Sequence, residues 1–79
     1  MSKMHIEVLG PGCANCKLLY ERAASAARDL GLDCEIEKIT DMNVIVGYRV
    51  MSTPALVVNG QVKVAGRVPS VTQLKELLA

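Results

Sequence analysis

Two cysteines three positions apart, Cys13 and Cys16, stand where one hydrophobic pattern stops and another begins. Before them, Met4 to Leu9 is a short apolar-rich run broken by Gly10-Pro11-Gly12, which reads as a strand entering a loop. Its lack of clean alternation suits a central strand covered on both faces. After them, Cys16, Leu19, Ala23, Ala26, Ala27 and Leu30 recur at helical spacing, opposite Lys17, Glu21 and Arg28. The spacing predicts a helix over Cys13 to Leu30, closed by Gly31 as a left-handed cap.

The rest of the chain continues this alternation. From Leu32 to Ile39, Cys34 and Ile36 alternate with Glu35 and Glu37, giving a half-buried strand with charges on its wet face. Thr40 or Asp41 can cap a short helix from about Met42 to Arg49. Val44, Ile45 and Val46 are β-branched and argue for strand there, but a helix keeps the β-α-β-α rhythm. Ala55 to Val58 and Gln61 to Ala65 flank Asn59-Gly60, the signal of a hairpin with a type I′ turn. Ser70-Val71-Thr72-Gln73 is a capping box opening a last helix, with Leu74, Leu77 and Leu78 inward and Pro69 packed on Leu74. The order is β-α-β-α-β-β-α. The first two strands are parallel through a helical crossover and the last two form a hairpin. The expected fold is α/β, a four-stranded mixed sheet flanked by helices.

Composition narrows the function. Seventy-nine residues and 51% hydrophobic content fit one folded domain over 1–79, and a monomer suffices. Nine basic against eight acidic residues give a net charge of +1, against a nucleic-acid or anionic-membrane footprint. Two Tyr without Phe or Trp provide no base-stacking platform. No apolar stretch approaches the roughly 20 residues of a membrane span. His5 and Glu7 interrupt the start where a signal peptide needs an apolar run, so a cytoplasmic location is expected. Three cysteines do not make a secreted disulfide scaffold, and one C-x-x-C in such a chain means redox chemistry or metal binding.

The chain resembles the thioredoxin-like superfamily, and within it the small, glutaredoxin-sized redox-active disulfide proteins. Three features carry the resemblance: Gly12-Cys13-Ala14-Asn15-Cys16-Lys17 at the strand-to-helix junction, Ser52-Thr53-Pro54 before the third strand, and Gly66-Arg67-Val68-Pro69-Ser70 entering the last helix. It spans essentially the whole chain. The resemblance implies a thioredoxin-like fold and a cis bond at Thr53-Pro54 facing the cysteine pair. Gly12 stands where thioredoxins carry an aromatic residue, and Ala14-Asn15 where glutaredoxins commonly have one.

The chemistry follows from the helix start. Unpaired N–H groups and the helix dipole stabilise an anion there, which lowers the Cys13 pKa below the usual value of about 8.5. Cys13 is then the nucleophile on a substrate disulfide, and Cys16, one turn on and less exposed, resolves the mixed disulfide. As small core residues the pair would need no Gly-Pro-Gly before it. The expected activity is thiol–disulfide exchange on a protein or small-molecule disulfide, with a reductase or thiol donor as partner, no cofactor and no metal. Two alternatives use the same residues. One is a soft-metal or metalloid binding module. Ferredoxin-like chaperones with this motif end on a strand, however, whereas this chain ends on a capped helix. The other is a non-catalytic adaptor whose cysteines sense oxidation.

Thr53-Pro54 reads either as loop punctuation or as the place where Thr53 pairs an extended substrate; the cysteine companions favour the second. Glu7 falls where thioredoxins hold a buried acid. If buried it is a base for Cys16, and on a less covered strand it is an ordinary charge, the preferred reading. Lys17 can favour the thiolate or simply be a solvated helix lysine. Cys34 is expected to pack as a small hydrophobe and His5 to sit at the strand edge. Tyr20 and Tyr48 line a substrate surface or fill the core.

Overall fold

The structure, a computed structural model, describes residues 3–12 and 14–78. Its elements run β1 (Met4–Leu9), α1 (Ala14–Asp29), β2 (Cys34–Ile39), α2 (Met42–Gly47), β3 (Ala55–Val58), β4 (Gln61–Ala65) and α3 (Val71–Leu78). One sheet has the order β2-β1-β3-β4. β1 is parallel to β2 and antiparallel to β3, with β4 completing a hairpin that slips register between Leu56 and Val57. This is the expected mixed four-stranded sheet.

Alternation along the central strands builds two cores. Ile6, Val8, Leu56 and Val58 face α1 and α3, packing against Leu19, Ala23, Leu74 and Leu78. Leu9, Ala55 and Val57 face the other way, against Ile45 of α2. Burial of a Leu such as Leu56 or Leu74, both with no exposed surface, contributes about 1.5–3 kcal/mol. Cys34 and Ile36 pack on the α1 side, as their alternation with Glu35 and Glu37 requires.

Local signals account for most boundaries. Asp41 caps α2, its carboxylate accepting from the Asn43 N–H at 2.9 Å. Asn59 and Gly60 take φ of 50° and 83°, the turn that matches the twist of its strands. The Ser70 hydroxyl accepts from the Gln73 N–H at 3.2 Å while the Gln73 side chain accepts from the Ser70 N–H at 3.0 Å. α1 closes with Leu32 N–H on the Ala27 carbonyl and Gly31 N–H on that of Arg28, a Schellman arrangement.

Three expectations are corrected. Leu30 lies beyond α1 in the turn and is exposed, because the chain leaves the helix before the stripe returns to the core. α2 stops at Gly47, with Arg49 at φ 60°. β1 is covered on both faces only near Leu9. Six helical residues span about 9 Å, so α2 leaves His5 exposed and Glu7 half-buried on its side.

Candidate active site

The site forms where β1 ends and α1 begins. Leu9 pairs with Ala55, which brings Gly10 alongside Pro54 at the start of β3. Cys16, in the first turns of α1, is buried and 5% exposed. A Cβ added at Gly10 would lie 2.2 Å from Cys16 Sγ, 3.2 Å from Cys16 Cβ and 3.9 Å from Pro54 Cα. The second cysteine of the motif, the glycine before the loop and the proline of Thr53-Pro54 therefore meet at one point. Cys13 lies outside the described residues. Lys17 is exposed. Among the described residues, no acidic side chain occupies the first turn of α1 to offset the positive end of the helix dipole.

The Thr53–Pro54 peptide bond is cis, with Pro54 buried and Thr53 half-buried. Its segment is held from behind. The Gly66 N–H donates to the Pro54 carbonyl at 2.9 Å. Gly66 sits at φ 77°, and a Cβ there would come within 2.8 Å of Ser52 Cβ, so both conformation and space require glycine. Further along, the half-buried Arg22 donates to the Pro69 carbonyl at 3.1 Å, joining α1 to the segment that enters α3.

Glu7 does not share the face of Cys16. It accepts a hydrogen bond from the Tyr48 hydroxyl at 2.5 Å on the α2 side, while α1 packs on the opposite side of the sheet. The carboxylate raises the Tyr48 pKa above its usual 10.0, first by accepting that bond, then through burial and its charge. His5, Glu7 and Glu37 bring one potential metal-ligating atom each within 4.8 Å of one another on this face. Tyr48 on Glu7 and His5 Nε2 at 3.4 Å from Glu37 supply these groups with protein partners.

Residue reading alone missed Gly10, which looks like loop punctuation, and the bracing of Ser52 by Gly66, whose partner is distant in sequence. The Tyr48–Glu7 pair has no local signal either. Of the two tyrosines, Tyr20 packs on the α1-side core, with Lys38 Nζ 4.9 Å from its ring centre, and Tyr48 on the α2 side.

Comparison with known proteins agrees with this geometry. The family model for the thioredoxin domain matches residues 4–79. A thioredoxin of Methanothermobacter thermautotrophicus is 41% identical over 76 residues, covering 96% of this chain and 99% of that one. A thioredoxin of Methanocaldococcus jannaschii is 38% identical over 73 residues, covering 92% and 84%. Among solved structures, the germline-specific thioredoxin Deadhead of Drosophila melanogaster superposes with a TM-score of 0.68 at 18% identity. That match covers 96% of this chain and 78% of the other, and shows the shared fold. With a buried motif cysteine beside the Thr-Pro turn and these relatives along nearly its whole length, the chain belongs to the thioredoxin family of thiol–disulfide oxidoreductases.

Proposed function

We propose that this chain reduces disulfides through its own dithiol, Cys13 as nucleophile and Cys16 as resolving thiol. The observation that carries this is the burial of Cys16 against Gly10, which itself lies beside Pro54, at the head of α1. A sulfur there is hidden from bulky substrates and stands three positions along the chain from Cys13.

The Cys13 thiolate, favoured by the helix start, attacks one sulfur of a substrate disulfide. A Cys13–substrate bond forms, the substrate disulfide breaks, and the first substrate thiolate departs and takes up a proton. Cys16 then loses its proton to solvent and attacks the Cys13 sulfur. The Cys13–Cys16 disulfide forms and the second substrate thiolate leaves. Two electrons pass from the protein to the substrate, and an external dithiol or a reductase returns them. The Thr53 backbone offers strand-like pairing to an extended substrate segment. Lys17 adds positive charge near the thiolate. Glu7 is committed to Tyr48 and serves the fold rather than the proton transfer.

In this reading the chain works as a single-domain, cytoplasmic monomer on protein or small-molecule disulfides. No described helix is long and apolar enough to cross a membrane. Turnover of a disulfide substrate by wild type and Cys13→Ser tests the proposal. Wild type should turn over and Cys13→Ser should not. Retained turnover in the variant, or a metal kept stoichiometrically by an inactive wild type, overturns it.

A further inference from the structure

Gly10 differs from the other glycines of this chain. Gly12, Gly31, Gly60 and Gly66 have positive φ, a backbone reason to be glycine, and Gly47 has open space around it. Gly10 has neither. Its φ is one any residue can take, but a Cβ would stand 2.2 Å from the Cys16 sulfur, far inside contact distance. The backbone on the glycine's side is held, so the Cys16 sulfur is the side that must turn away. The Gly10 N–H donates to the Ile39 carbonyl at 2.9 Å, and the neighbouring Leu9 is paired with both Ile39 and Ala55. Cys16 is buried a turn before the fully buried Leu19.

We infer that Gly10 is a positioning residue for the resolving step: its missing side chain leaves the hollow in which the Cys16 sulfur sits. This rests on the reading of Cys16 as the resolving thiol. Resolution requires the Cys16 sulfur to approach the Cys13 sulfur opposite the departing substrate sulfur, forming one S–S bond as the other breaks. A methyl at position 10 drives the Cys16 side chain out of that line, and a misplacement of about 1 Å can cost roughly a hundredfold in rate. The first attack, by Cys13, uses no atom of Cys16. Gly10 therefore governs the second step selectively.

The test reacts reduced Gly10→Ala with 5,5′-dithiobis(2-nitrobenzoate), with Cys34, the half-buried third thiol, replaced by alanine in every protein compared, so that the coloured thiolate is released once on attack and once on resolution. Gly47→Ala is the control. The attack phase should stay within about twofold of wild type while resolution slows by about tenfold or more, with both phases unchanged in Gly47→Ala. Unchanged resolution, or equal slowing of both phases, overturns the inference. Thermal melts cover the case of a poorly folded variant. Gly10→Ala should lower Tm by about 4–8 °C or more, and by less than half as much in a Cys16→Ala background, where the colliding sulfur is gone. An equal loss in both backgrounds overturns the inference. If wild type releases only one thiolate, the resolving-thiol reading fails, while the melts still judge the Gly10–Cys16 contact.

Discussion

The Tyr48 hydroxyl donates to Glu7 at 2.5 Å, tying the end of α2 to the middle of β1 across 41 positions. Loss of this bond in Tyr48→Phe should lower stability by about 1 kcal/mol at neutral pH, measured by urea unfolding. The pH dependence has a definite sign. The folded-state pKa of Tyr48 lies above its usual 10.0, so the folded protein holds this proton more tightly than the unfolded chain. Its contribution is fully present below about pH 10 and is lost as pH rises through the folded value. Wild type should therefore converge on Tyr48→Phe above pH 10; a gap that widens there would contradict the assignment.

The resolving role of Cys16 predicts trapping. Cys16→Ser should still attack a disulfide but stop at the mixed disulfide, seen by mass spectrometry as the protein plus one substrate half. Turnover without an adduct would remove Cys16 from the mechanism.

Gly66→Ala combines a left-handed φ of 77° with a 2.8 Å approach to Ser52 Cβ. Strain and overpacking together should cost about 1–3 kcal/mol and displace the Thr53-Pro54 segment through its bond to Gly66. The expected readouts are a Tm lower by several degrees and a higher KM for a protein disulfide. A variant matching wild type in both would show that Ser52 yields freely.

At the other end of the chain, Ser70→Ala should cost about 1 kcal/mol, since the hydroxyl caps the Gln73 N–H. Gln73→Ala removes the reciprocal bond to the Ser70 N–H. The two residues share one cap, so the double variant should lose less than the sum of the single losses in thermal melts. Strict additivity would mean that the bonds act separately.

The features legible in the sequence are those whose partners lie within a turn or two. The Leu19–Ala23–Ala26–Ala27 stripe, the Asn59-Gly60 turn and the Ser70–Gln73 box depend on local geometry, and each appears in the structure as read. The Cys13–Cys16 spacing, with Thr53-Pro54 downstream, pointed to the family because both motifs stand beside recognisable element boundaries. Leu30 falls outside α1 and the core because a stripe does not say where the chain leaves its helix.

Tertiary structure decided the contacts that sheet register creates. Pairing of Leu9 with Ala55 sets Gly10 beside Pro54, and α1 then lowers the Cys16 sulfur onto that glycine. The short α2 decides that Glu7 meets Tyr48 and that His5 stays exposed. A sequence specifies period and turn through near neighbours. Which backbone leaves room for a sulfur, and which carboxylate finds a hydroxyl, depends on segments that come together only once β1 is paired on both sides.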